Sequence, residues 1–521
     1  MNRVALLALG AAACSKKSQS PVHDGSGAFA VPATPLEGGA NLADATHLLA
    51  RLSFGAKPGQ ADRVLAQGLD HWVEQQLHPA NIDDAAGIAA LEPYKDALKP
   101  SDELQDDAEL EAAAMIADGE AMGNEKKAKN KAKRELLLET QMTALARHVG
   151  SERQLLEVMA DFWTNHFSVS LQKGKVRFLA ADFVEHAIRP LALGRFVDLL
   201  KATARHPAML VYLDNAQSVA PRPGSKPAKK GRGLNENYAR ELMELHTLGV
   251  DGGYSQDDVI AVARVLSGWG VADGMFQFRP RLHDDGAKVV MGENFPAGGG
   301  EGEGDKLLEF LASHPATIRH VTKRLCMRLV ADNPPKDVLD AASAAWLTSG
   351  GEIAAVIRAI VRAPAFWRPE TRNAKIKSPL ELAVSAVRAV GGTLDGDGLA
   401  KVMVRLGQPP LLAPAPTGYA DSTDAWLSTA GALERMDLAL QLASERLPGV
   451  MSNLDRVMPL PGTDPLPQWR SATLEKIEAM VTLAPETRGV IERWIAKPKQ
   501  PQQARTIALA LALASPEFQR Q

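Results

Sequence analysis

The run Asn235-Glu236-Asn237-Tyr238-Ala239-Arg240-Glu241-Leu242-Met243-Glu244-Leu245-His246-Thr247-Leu248-Gly249 decides how this chain is read. It has the length of a helix and closes on a glycine, the usual helix stop. On a helix turning ~100° per residue, Glu236, Arg240 and Glu244 form an i, i+4, i+8 ladder, with Asn237 and Glu241 beside it. Tyr238, Ala239, Leu242, Met243 and Leu245 make the apolar side, and His246 projects among them, opposite the carboxylates. Glu241 and His246 therefore cannot grip one metal from the same unbroken helix. Three carboxylates, an arginine, two amides and a histidine exceed what solubility requires, so the search for chemistry starts here.

Working outward, the same periodicity predicts helices near 135–149, 152–170, 175–188, 194–203 and 256–267. In the second half it predicts them at 305–313, 315–331, 335–348, 351–362, 378–391, 397–405, 429–445, 471–483, 486–495 and 502–513. Ser255 to Asp258 reads as a capping box, and Gly249 and Gly268 as stops. One β-hairpin is expected, with Phe276-Gln277-Phe278 and Val289-Val290-Met291 flanking Asp285-Gly286. No fixed period recurs, which disfavours a solenoid. The fold class is all-α: a multi-helix globular array with one small β-hairpin.

The 521 residues carry a formal charge of −3 and only 5% aromatics. No polybasic face interleaved with aromatics appears, so a nucleic-acid partner is excluded. Met1-Asn2-Arg3 followed by an apolar run from Val4 to Ala13 is too short to span a bilayer and fits a signal peptide. It closes on Ala11-Ala12-Ala13-Cys14, resembling a bacterial lipobox in which Cys14 is lipidated. The expected location is the periplasm or the outer membrane, with membrane attachment by the lipid anchor only. Cys326, the other cysteine, borders an apolar helix stripe and reads as a buried inert thiol.

The expected organisation is a signal peptide over 1–14, a tether over 15–42, a helical core over 43–300 and a helical C-terminal half over 301–521 packed on it. Residues 102–134 form an acidic then basic excursion, expected to be a solvated helical hairpin turning at Gly123-Asn124; 221–233 form a basic loop rich in Pro and Gly.

Chemistry has several sources. Glu241 and Glu244 suit acid–base work or, with Asn237, a divalent cation; the alternative is a buried network in which Arg240, with Arg189 or Arg264, neutralises them. On the 152–170 helix, Glu157, Asp161, Asn165 and Ser168 share a polar face, while His166 lies among Leu155, Met159, Phe162 and Trp163. His206 stands before Pro207 at a helix boundary. Histidines reaching one core from separate segments suit a metal, or each simply donates to a buried oxygen. His283-Asp284-Asp285-Gly286-Ala287-Lys288 carries more chemistry than a turn needs and reads as a site rim, with Lys288 suited to an anionic group. Serine-hydrolase elbows, zinc helices, paired-cysteine and haem motifs are absent from the sequence.

Taken together, His47 to Gly55, Phe162-Trp163-Thr164-Asn165-His166-Phe167, Ala208 to Asn215, Asn235 to Val250, His283 to Lys288, Pro416-Thr417-Gly418-Tyr419 with Trp426, and Ser515-Pro516-Glu517-Phe518 resemble the bacterial family domain of unknown function 1800. The resemblance implies an exported, mostly helical protein whose chemistry is not established. It also implies a partner, the exported sulfatase-like family domain of unknown function 1501, whose genes often lie beside those of this one. The leading expectation is a cell-envelope enzyme, a hydrolase or an oxidase. In it, Glu241, Glu244, His166 and Arg240 are catalytic, and Asn235, Asn237, Asp214, His283, Asp284 and Lys288 bind substrate. A divalent metal, if the site holds one, sits on His166, His206 and Glu241. The competing expectation is a non-catalytic envelope lipoprotein that binds a partner or a surface polymer. Convergence of these side chains on a reachable pocket separates the two.

Overall fold

A computed structural model describes residues 34–36, 38–104, 106, 125–220, 233–462, 466–498 and 500–521. The segments expected to be the signal peptide with Cys14 and most of the tether, together with 105 and 107–124 of the charged excursion and 221–232 of the basic loop, lie outside the described residues.

Helices dominate, in the order the apolar spacing dictates, and the array is all-α with small antiparallel hairpins. Gln154–His166 illustrates the cause. Leu155, Val158, Met159, Phe162 and Trp163 recur at helical spacing and are each no more than 2% exposed, at ~1.5–3 kcal/mol of burial for a large apolar side chain. One hydrophobic cluster runs unbroken from Ala45 to Phe518, so both halves of the chain share a core. No described helix is long and apolar enough to cross a membrane.

Two local outcomes differ from the sequence reading. Helix Glu125–Gly150 begins ten residues before the expected 135, inside the charged excursion. Ala128 and Ala132, each 1% exposed, pack with Ala97, Leu104 and Phe178 in a second small cluster, so this part of the excursion is docked rather than solvated. The strands also pair differently. Met275–Phe278 pairs with Trp269–Ala272, and Lys288–Val290 pairs with Glu293–Phe295. The hairpin turns are Asp273-Gly274 and Met291-Gly292, whose φ values of 49°, 72°, 47° and 85° are all positive, as type I′ turns require. Asp285-Gly286 turns no hairpin; Asp284 Oδ1 accepts from Gly286 N at 2.9 Å, which makes an Asx turn there.

Two helices open into wide i→i+5 turns, Phe183–Ile188 and Leu242–Thr247. Both end beside the groups described next.

Candidate active site

The polar ladder faces outward. Asn235 caps its helix: Oδ1 accepts from Asn237 N at 2.8 Å, and Nδ2 donates to Leu213 O at 2.9 Å. Gln256 bridges Glu236 and Arg240 with bonds of 2.7 and 2.8 Å, and Tyr254 donates to Glu244 at 3.2 Å. Asn237 is exposed, and Glu236, Arg240, Glu241 and Glu244 are half-buried. Burial and the neighbouring Glu244 raise the Glu241 pKa. The arginines expected to neutralise this face are engaged elsewhere: Arg189 with Glu157 and Glu185, and Arg264 with Asp284. Asp214, at φ 62°, pairs with Lys173 at 2.7 Å on the surface.

His166 lies on the inner side, 1% exposed. The Arg324 guanidinium donates to its Nδ1 at 2.7 Å, so Nε2–H donates to His246 O at 3.1 Å. Burial and Arg324 hold His166 well below the usual imidazole range, and His246 at about 3. The His166 ring centroid stands 6.2 Å from that of His246 and 6.3 Å from that of His320. This is a packed, neutral histidine cluster around Arg324. His206 is separately placed: Nε2 donates to Asp182 at 2.9 Å, and Nδ1 accepts from Ala208 N as a helix cap. His166, His206 and Glu241 therefore do not assemble, and among the described residues no three His, Cys, Asp or Glu side chains form a group able to hold a metal.

The polar groups of the His283–Lys288 segment are taken up by protein partners. Lys288 Nζ is fully buried and 2.6 Å from Glu303 Oε2, from the helix after the glycine-rich acidic loop. His283 Nδ1 donates to Ser267 O at 2.9 Å. Asp284 takes Arg264 through two bonds of 2.8 and 3.0 Å, which, with the Gly286 N–H, keep its carboxyl below the usual range against burial. The surplus chemistry at this segment is a buried ion network that fixes the turn.

Another polar stripe converges on a cavity. Glu157, Asp161 and Asn165, at i, i+4 and i+8 of Gln154–His166, line a cavity of about 90 Å³. Its other walls are helix Glu125–Gly150, the wide turn at Val184-Glu185, Arg328, the 375–381 segment and a strap over 408–426. The strap is pinned at several points. Gln141 donates to Pro410 O at 2.9 Å, Tyr419 Oη donates to Pro409 O at 2.8 Å, and Arg324 holds Asp421 at 2.8 Å. Tyr419 and Trp426 stand on it, ring centroids 6.3 Å apart.

Most charges in the cavity are spoken for. Arg189 pairs with Glu157, and Arg147 with Glu185 at 2.5 Å. Arg328 Nη1 lies 2.5 Å from Glu381, and Lys375 Nζ lies 2.5 Å from Asp332. Against the upward push of burial, Arg328, the Gln521 amide and the Ser378 N–H hold the Glu381 carboxyl below the usual range. Asp161 is the exception. It accepts no hydrogen bond from a described residue, and burial raises its pKa to about 7 despite the nearby Arg328. A carboxyl that shares a cavity with an arginine and titrates near neutrality is equipped to give and take a proton. Asp161 stands on the polar face that helical spacing gives to Glu157, Asp161 and Asn165, a face less rich in charge than the 236–244 ladder. The signal available was the match of that stripe with the Pro416–Tyr419 and Trp426 motifs, which meet it here.

An all-α array with a buried carboxyl-bearing cavity defines the class of protein. Within that class, the chain belongs to the family described as protein of unknown function (DUF1800), whose model matches residues 47–520. No curated protein and no solved structure matches the chain.

Proposed function

We propose that this chain is an exported cell-envelope enzyme that transfers protons through Asp161 to a small substrate held in the cavity. The observation that carries the reading is the Asp161 carboxyl: cavity-lining, without a hydrogen-bond partner among the described residues, and raised to about 7. Near neutral pH, both protonation states are populated, which suits a general acid–base group in hydrolysis. Glu157 and Asn165 flank it on the same helix face, and Tyr419 and Trp426 on the strap form the aromatic edge a substrate passes. The test compares cell-envelope extracts treated with wild-type chain or Asp161→Asn. Products found by mass spectrometry with wild type and missing with the variant support the reading. Equal product profiles with a folded variant overturn it.

In the same proposal, Cys14 carries the lipid, a reading supported by Ala11-Ala12-Ala13-Cys14. Loss of fatty-acid labelling in Cys14→Ser tests it. The partner proposed is the exported sulfatase-like protein of the domain of unknown function 1501 family, and the half-exposed 236–244 face is the surface offered to it. Co-purification from envelope fractions, weakened by charge reversal at Glu236 and Glu241, tests that assignment.

A further inference from the structure

Besides Lys375, which Asp332 holds, four buried cations crowd Glu381. Arg51, Arg328, Lys377 and Arg435 are each no more than 7% exposed, and each takes Glu381 as a charge partner. The Glu381 oxygens are already used: Oε1 by Arg328 and the Gln521 amide at 2.8 Å, and Oε2 by Ser378 N at 2.8 Å. The other cations settle for neutral partners. Arg435 donates to Lys377 O at 2.8 Å, and Lys377 donates to Ser385 Oγ at 3.2 Å and sits 4.0 Å from the Phe518 ring centroid. Arg51 donates to Thr371 O at 2.8 Å, and its Nε and Nη1 have no partner. Burial pushes Lys377 down to about 7 and Arg51 to about 9. A low-dielectric region holding this many cations is short of negative charge.

Arg328 connects this region to the cavity, which it lines. Its Nη1 lies 2.5 Å from Glu381 but makes no hydrogen bond, and the guanidinium donates to no described residue. Asp161, on the same cavity, feels Arg328 but forms no ion pair with it. Lys375, on the same wall, is occupied by Asp332 and by Asp421 O at 2.9 Å.

We propose that the group bound in this cavity is an oxyanion, held by the Arg328 guanidinium beside Asp161. The inference rests on the cavity being the substrate site. The adjacent N–H donors of a guanidinium match two oxygens of a carboxylate, phosphate or sulfate. A cavity of about 90 Å³ has room for such a group. The anion supplies the charge the four cations lack, and protonated Asp161 is positioned to donate to it or to the bond next to it.

The test is calorimetric titration of the full chain with acetate, inorganic phosphate and sulfate at constant ionic strength. The expected result is one saturable site. Acetate alone assigns a carboxylate, and phosphate or sulfate alone assigns a tetrahedral oxyanion. Affinity should fall at least tenfold in Arg328→Lys, which keeps the charge on Glu381 but loses the fork. At pH 8, where Asp161 is mostly ionised, it should rise severalfold in Asp161→Asn, which removes the nearby negative charge and keeps the proposal falsifiable should Arg328→Lys fail to fold. Saturation by none of the three anions, or affinity unchanged in every folded variant, overturns the inference. The stability-versus-pH behaviour of Asp161→Asn tests Asp161 without any anion, so the failure of this inference and that of the acid–base reading are distinguishable.

Discussion

The side chain of Asn165 pairs with both backbone polar groups of Tyr419: Oδ1 accepts from Tyr419 N at 2.7 Å, and Nδ2 donates to Tyr419 O at 2.9 Å. An amide here does what a neighbouring strand would do and fixes the strap to the helix that carries Asp161. Gly418 is required by the same contact. Its φ is +71°, and a Cβ there would lie 2.3 Å from the Asn165 carbonyl oxygen. Asn165→Ala should destabilise the fold by about 1–3 kcal/mol, the range for leaving buried partners unmade. Gly418→Ala should cost at least as much, because strain adds to the clash. Urea unfolding midpoints check both, and a neutral Gly418→Ala would contradict the seating of the strap.

Lys288 and Glu303 form a pair sealed from solvent. Removing one partner strands a buried charge, so Glu303→Gln and Lys288→Met should each cost roughly 3–5 kcal/mol. Denaturant unfolding measures this. A cost below about 1 kcal/mol would mean that the segment is open and that Lys288 is free for a ligand.

The outward ladder predicts the opposite pattern. Glu241→Gln should change stability by no more than about 1 kcal/mol, as for exposed or half-exposed charges. It should leave product formation from envelope extracts unchanged, whereas Asp161→Asn abolishes it. Loss of product with Glu241→Gln would return the chemistry to the ladder.

The buried histidines set an acid limit. His47, His148 and His246 are each lowered to about 3, by burial first, and His166 is held well below 6.5. Folded, these rings stay neutral, while the unfolded chain takes up protons below 6.5. Their contribution is fully present above that pH and is lost as pH falls towards 3, by about 1.4 kcal/mol per pH unit for each ring. His246→Gln should flatten the slope of stability between pH 6 and 4 by roughly one ring's share. An unchanged slope would show that His246 is charged in the folded state.

The helices were legible because nearly all the apolar residues of elements such as Gln154–His166 obey one period, and caps such as Ser255 with Asp258 mark their starts. The hairpins were not, because Asp273-Gly274 and Asp285-Gly286 look alike in sequence and only pairing tells a hairpin turn from an Asx turn. The site was half legible. Glu157, Asp161 and Asn165 stood out as a polar face, but so did Glu236, Arg240 and Glu244, and helical spacing does not say which stripe meets a cavity. That depends on the strap, some 250 residues further along, folding over one of them.

The most direct measurement is the stability of Asp161→Asn relative to wild type as a function of pH. A carboxyl raised from 3.8 to about 7 contributes fully below 3.8 and loses that contribution as pH rises through 7. The account predicts that the variant's relative stability climbs between pH 4 and 7 and then levels off, with the variant the more stable protein at pH 8. A flat difference, or a variant that weakens relative to wild type as pH rises, would show that Asp161 is an ordinary ionised carboxylate held by Arg328. That result would contradict the acid–base role.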